Sequence, residues 1–529
     1  MAEANPEPAP VAQAVRDAEG DAQLVKALRV SWLGGPPPTW WLTRAVLVRG
    51  VGFIYAVAFT VLCAQWRGLI GSHGLLPAAG YLDGIRDETS FMQLPTFFFL
   101  GASDGVLGAF AVLGLVLSLL VVAGVDSGLL MLALWALYLS FNHIGQIFWG
   151  YGWELLLLET GFLAAFACPF PGAFALRSVR PPPAAVMFMF RWLLCRVMLG
   201  AGLIKLRGDP CWRELTCLAF HYETQPVPSP ISWLLHQAPL WFHKTGVGYN
   251  HVVELVVPFM LLGPRRLRHV GGVLTVLFQL ILIASGNLSF LNWLTLVVAF
   301  ACFDDSLWAR LLPRRLVERA TALATVRAPS RIHTGAVVVL AVVVAALSVS
   351  PIVNMLSSRQ AMNTSFDPLH LVNSYGAFGS IERERNEIVI EGTLAERPDQ
   401  HARWLAYELP CKPGDVMRRP CLITPYHYRL DWQMWFAAMS QAPDEPWLIH
   451  LAYELLRAEP DVLALFARDP FAGKPPRYVR MELYRYRFTT WGEQGWWKRE
   501  RVGSYLPPVS RNNPELRRYL EAYGLLPAP

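Results

Sequence analysis

Long apolar runs, separated by short polar and Arg-bearing stretches, fill the first two thirds of the chain. About 20 consecutive apolar residues cross the hydrocarbon core of a bilayer as a helix. Five runs meet or approach that length, at 46–64, 105–125, 187–206, 270–285 and 335–353. Four shorter or interrupted runs lie at 128–148, 155–170, 251–262 and 288–303. Together they predict about nine spans. The shortest, 251–262, also suits a re-entrant helix, and seven spans keep the same direction of exit. From about residue 365 the period changes. EIVIEG at 387–392, WLAYEL at 404–409 and YVRMELYRYRF at 478–488 alternate apolar and polar residues, as strands with one wet face do. The 446–467 stretch has helical period. The expected fold is a polytopic α-helical membrane domain over 40–356, then a soluble α+β or β-sandwich-like domain over 357–529. Residues 1–39 are rich in Ala, Pro and acids without the apolar stretch of a signal peptide, and read as a disordered cytoplasmic tail.

Charge adds a direction. Arg and Lys gather in cytoplasmic loops. Basic positions cluster at Arg177/Arg180, at Arg265/Arg266/Arg268, and at Arg314, Arg315, Arg319 and Arg327 before the last run. With the N-terminus inside, nine spans place all three clusters in the cytoplasm. Segments 67–104, 207–250 and everything after 354 then lie outside. Composition supports the membrane reading: only 16% of residues are charged, and mean hydropathy is +0.33, too apolar for a water-soluble chain of this size. The net charge of +6 is dispersed, with no basic stripe for a phosphate backbone, so nucleic acid is excluded as a partner. The 6 Lys against 40 Arg fit the codon bias of a GC-rich bacterial genome. That source would put the protein in the inner membrane, with the C-terminal domain in the periplasm; a eukaryotic source would put it in the endoplasmic reticulum with that domain luminal.

Cysteines follow the same division. Cys63, Cys168, Cys195 and Cys302 fall in or beside apolar runs, where a thiol packs as a small hydrophobe. Cys211/Cys217 and Cys411/Cys421 lie in the outward segments, where disulfides persist. Neither pair has CxxC spacing, which favours structural disulfides over a redox or zinc motif.

Ionisable residues inside spans are costly, and are functional or paired. This chain carries Glu154, Glu159, Arg191, Arg196, Lys205 and Glu254 there. Arg196 and Lys205 are nine residues apart, about half a turn out of phase on a helix, so they cannot share a partner. Arg196 needs an acid from a neighbouring helix, and Glu159 or Glu254 can supply it. Lys205, near the outer surface, can snorkel. His251 and Glu254 share a helix face by their spacing of three. A metal site would need a second such motif, and none exists, so a buried or capping pair is the better reading. Neither a GxSxG elbow, a P-loop nor a GxGxxG fingerprint is present, and no cofactor or metal is expected. Asn287-Leu-Ser289 and Asn363-Thr-Ser365 match the glycosylation pattern. Trp432, Trp435, Trp491, Trp496 and Trp497 make the C-terminal part aromatic-rich, which suits core packing before it suits client binding.

Longer words carry more information. QIFWGYGWEL (146–155), LGAGLIKLRGDPCWRELTCLAFHYETQPVPSP (199–230), SYGAFGSIERERNEIVIEGT (374–393) and YVRMELYRYRFTTWGEQGWWKRERVGSYLPP (478–508) closely resemble the lipase maturation factor family, over about 32–523. In animals that resemblance implies a membrane factor of the endoplasmic reticulum that helps secreted lipases fold and assemble. The chain ends Leu526-Pro-Ala-Pro529, without an ER-retrieval signal. A fainter similarity links AGLIKL to the horizontally transferred transmembrane (HTTM) domain shared with vitamin K-dependent carboxylases, where a comparable lysine is catalytic. Two readings follow. In the first, the protein is a non-enzymatic factor that shields a secreted, lipase-like client, with Trp212, His221, Tyr222 and Glu223 of the outward loop as binding candidates. In the second, it is a membrane enzyme acting on a lipid or peptide, with Lys205 in an intramembrane cavity.

Overall fold

A computed structural model describes residues 38–526, so the expected tail at 1–39 lies almost wholly outside the described residues. Helix α1 (Trp41–Ile70) begins where three consecutive backbone N–H groups, of Trp41, Leu42 and Thr43, donate to one carboxylate at 2.9, 2.8 and 3.1 Å. That carboxylate is Asp305, some 260 residues downstream. It satisfies N–H groups that a helix start leaves without partners, and its charge suits the positive end of the helix. Helix α1 therefore starts before its apolar run and, at 30 residues, rises roughly 45 Å. Helix α2 (Asp104–Ala123) packs directly on it and ends at Gly124 in the left-handed region, φ 109°. The approach is close because Gly52 and Gly114 stand at the contact: a Cβ at either would overlap Val121 or Phe59.

Next come α3 (Gly128–Ile144), α4 (Gly152–Ala167), α5 (Ala184–Arg207) and α6 (Leu240–His251). Helix α6 runs through a π-helical turn, Val252–Val256, into Val257–Leu261. Helices α7 (Arg265–Ser285), α8 (Leu291–Ala299) and α9 (Arg331–Leu347, prolonged by Val349–Leu356) complete the bundle. Among the described residues, five helices are long and apolar enough to cross a membrane: α1, α2, α5, α7 and α9 with its prolongation. They are the five strong runs of the sequence. The four weak runs form shorter helices: α4, with 16 residues, rises roughly 24 Å against a hydrocarbon core of about 30 Å. On α9 the side chains of Val338, Val339 and Val342 are exposed, an arrangement stable against lipid rather than water.

The C-terminal part is α+β. Strands β1 (Arg385–Thr393), β2 (Leu405–Ala406), β3 (Tyr478–Phe488) and β4 (Trp497–Val509) form one antiparallel sheet in the order β2-β1-β3-β4. Helices α10 (Arg429–Ala437), α11 (Pro446–Arg457) and α12 (Pro514–Ala522) accompany it. Three details differ from the pattern reading. The 404–409 strand contracts to two residues. The helix expected over 446–467 stops at Arg457, where Ala458 turns left-handed and Pro460, lacking an N–H, starts a separate turn. Strand β4 escaped notice because Pro507 and Pro508 interrupt its ladder, which an edge strand tolerates. One contiguous apolar core runs from Leu47 and Phe59 of α1 to Trp447 of α11 and Leu506 of β4.

Candidate functional site

A cavity of about 860 Å³ opens where the bundle meets the C-terminal part. Helix α5 supplies one wall through Val197, Met198, Ala201, Ile204 and Lys205. The other walls come from the 208–224 loop, α6 and its π-turn, α7, α8, the 375–382 segment, and Trp432 and Trp435 of α10. Most of the lining is aliphatic or aromatic.

Lys205 is the one buried cation on this wall among the described residues, 6% exposed. Its Nζ donates to Glu254 Oε1 at 2.6 Å and to Asn250 Oδ1 at 3.0 Å, and sits 5.0 Å from the Trp212 ring centre. Asn250 Nδ2 donates to the other Glu254 oxygen at 2.9 Å, closing a three-membered polar cluster. The π-turn makes this possible. Its extra residue per turn swings Glu254 inward, and Gly202 leaves room for it: a Cβ there would lie 2.9 Å from Glu254 Cβ. The same turn takes His251 and Glu254 off a common face. They form no pair, and His251 Nε2 instead meets the Trp212 carbonyl at 2.9 Å. Lys205 does not snorkel. Glu254 draws its ammonium inward, where the sequence offered a route to water.

On the opposite face of α5, Arg196 is ion-paired with Glu159 rather than Glu254. Both are 1% exposed. Around them the C-terminal part intrudes. A ribbon pairing Thr364–Ser365 with Asn373–Ser374 brings the Asn373 carbonyl to Arg196 Nη1 at 2.6 Å. Glu159 accepts the Asn373 N–H at 3.0 Å and the Tyr375 hydroxyl at 2.8 Å. Glu154 likewise finds its cation outside the bundle: Arg429 Nη1 on α10 donates to it at 2.7 Å, beside Trp153 Nε1 at 2.8 Å and the Tyr138 hydroxyl. Arg429 is fully buried and stacks on Trp149, 3.9 Å from its centre. The sequence reading missed it, since a basic residue in a strand-and-turn region gives no sign of joining a span acid. It also missed Asp304, which gathers Arg265 at 2.7 Å and Arg268 at 2.8 Å at the opposite end of the bundle.

The candidates in the 207–250 loop are not an open surface. Trp212, His221 and Tyr222 are 2%, 7% and 5% exposed and line the cavity. Segment 374–382 covers them: Trp212 Nε1 donates to the Phe378 carbonyl at 2.9 Å, and the His221 ring stands 4.9 Å from that of Phe378. Burial, with the Lys205 charge beyond, pushes the His221 imidazole down to about 4. Glu223 turns away to accept the Phe488 N–H at 2.5 Å, at the end of β3, while its own carbonyl takes Arg385 Nη1 at 2.9 Å. Burial raises its carboxyl above the usual range. The C-terminal tryptophans divide: Trp432 and Trp497 are buried, whereas Trp491 is 66% exposed at the β3–β4 tip, 4.9 Å from Trp233.

Cys211–Cys217 and Cys411–Cys421 are disulfides, with Cα separations of 4.8 and 5.6 Å. Asp209 lies beside the first, but two sulfurs bonded to each other are not thiolate ligands, so the trio is no metal site. Asn287, in the first glycosylation pattern, is 1% exposed. Its Nδ2 donates to the Cys421 carbonyl at 2.8 Å and its Oδ1 accepts the Ile423 N–H at 2.9 Å, so the amide is closed to a glycan.

Comparison with known proteins covers both parts. Residues 42–310 match the family described as Lipase maturation factor transmembrane domain, and 371–507 match Lipase maturation factor C-terminal domain. Lipase maturation factor 1 of Bos taurus is 48% identical over 513 residues, 91% of each chain. Lipase maturation factor 1 of Homo sapiens is 47% identical over 523 residues, 93% of this chain and 92% of the relative. Lipase maturation factor 2 of Gallus gallus is 30% identical over 615 aligned positions, 93% and 84%. No solved structure matches the chain.

Proposed function

This chain belongs to the lipase maturation factor family, and from that premise we propose that it is a membrane-anchored factor that helps secreted lipases reach their active fold. The observation that carries the reading is the extent of the likeness: relatives named for lipase maturation align along nine tenths of both chains, through bundle and sheet alike. A lipase caught before native packing exposes apolar side chains and unpaired strand edges. A partner fixed at the membrane can cover them while the client's core closes. The direction proposed from the Arg clusters puts the C-terminal part, with its disulfides, outside the cytoplasm, where secreted clients fold. The membrane domain at 40–356 then serves as anchor, and 357–529 as the client-facing part.

Contact with the client is assigned to the β3–β4 tip. Trp491 projects there, and Trp233 supports the turn by donating from Nε1 to the Thr489 carbonyl at 2.9 Å. Trp212, His221, Tyr222 and Glu223 take part from beneath. The first three line the cavity, and Glu223 holds the end of β3 to the loop. Co-production of a secreted lipase with each variant tests the reading, with specific lipase activity and abundance of the factor measured together. Trp491→Ala is expected to lower lipase activity several-fold at unchanged abundance, and Glu223→Gln to lower it less. Equal lipase activity with and without the wild-type protein overturns the proposal.

A further inference from the structure

We propose that the cavity beside Lys205 binds an uncharged, hydroxyl-bearing lipid with a single acyl chain, drawn from the surrounding membrane. Its volume of about 860 Å³ lies within the roughly 300–1,000 Å³ of small-molecule sites, and its lining is mainly apolar, as the body of an amphiphile requires. Its rim is mixed in the matching way. Ile281, 50% exposed, belongs to the membrane-crossing α7, and Phe436 and Met439 extend that apolar edge. Arg207, Arg359 and Glu382, all exposed, form the polar edge. Such a mouth straddles the boundary between hydrocarbon and water, so a lipid enters sideways without leaving the membrane.

The polar interior decides the head group. Among the described residues, Lys205 and Glu254 are the only buried ones of opposite formal charge on the wall, and they neutralise each other at 2.6 Å. A charged head placed against a balanced pair would find no counter-charge among the mainly apolar walls, whereas a hydroxyl or ester needs only a donor and an acceptor. Both kinds line the cavity. The Lys205 ammonium has three N–H groups, of which hydrogen bonds to Glu254 and Asn250 use two. Asn292 and Gln279 lie on the α7–α8 side, joined at 2.8 Å.

The test uses the purified full-length protein in phosphatidylcholine nanodiscs doped with a diazirine-bearing monoacylglycerol, and the corresponding fatty acid as a separate arm. On irradiation, the monoacylglycerol is expected to label peptides containing 197–205 and 278–292, and excess unlabelled monoacylglycerol should suppress that labelling at least five-fold. Ala201→Trp, which fills the space, should reduce it to a similar extent. Competition on the wild-type protein gives the same answer if that variant does not fold. Equal or stronger labelling by the fatty acid overturns the neutral head group. Labelling confined to the outer face of α9, and insensitive to competitor, shows annular lipid only and overturns the site. A photocrosslinker at Ile204 that captures a co-produced lipase instead of lipid overturns the choice of ligand while leaving the maturation role intact.

Discussion

Two buried cations on one helix show how differently a membrane protein can use an expensive charge. The Arg196 face of α5 is shut: its guanidinium meets a carboxylate and a carbonyl, and the carboxylate is further held by a backbone N–H and a tyrosine hydroxyl. Every one of those partners except Glu159 belongs to the C-terminal part, so the pair is a rivet between the two halves of the chain. The Lys205 face has its own acid too, but opens on a cavity where water or a ligand can reach it. The contrast is one of access. A charge enclosed away from water fixes the assembly, while a charge paired on one side leaves the other available.

Arg196→Leu should produce the largest effect. Glu159 would remain buried without its cation, at about 3–5 kcal/mol, and protein abundance and thermal midpoint in detergent should fall together. Adding Glu159→Leu should restore part of that loss, because no charge is then orphaned although the Asn373 backbone and Tyr375 hydroxyl lose their partners. A double variant as unstable as the single one would show that Arg196 acts through Asn373 instead. On the other face, acid should act through His221. Its folded value near 4 lies below the ordinary 6.5, so the unfolded chain takes up the proton first. The associated stability is complete above about pH 6.5 and is lost as pH falls towards 4, amounting to about 2 kcal/mol by pH 5. His221→Gln should flatten the dependence of thermal midpoint on pH between 7 and 5; an unchanged slope assigns it elsewhere. Lys205→Met should have the smallest effect on stability, about 1–2 kcal/mol, since Glu254 keeps Asn250 and lies next to the open cavity. A loss equal to that of Arg196→Leu would erase the distinction between the faces.

The membrane character of the chain was legible from the run lengths alone, and the five long helices stand on the five strong runs. Strands β1 and β3 followed from period-two alternation in 387–392 and 478–488. Less visible was anything depending on one residue meeting another far along the chain. Asp305 caps α1, and Arg429 answers Glu154, across separations of more than 260 residues. No local pattern marks such partners, because they arise from the packing of distant segments.

Local composition thus determined where helices and strands form: apolar length and side-chain period act over a few turns of chain. Tertiary structure decided what the 207–250 loop does. By pattern, 207–250 reads as a loop free to meet a client. In the folded molecule, 374–382 lies over it and turns Trp212, His221 and Tyr222 toward an internal cavity. The physical reason is that aromatic side chains gain more from burial against a neighbouring segment than from exposure to water, and only the assembled fold supplies that segment.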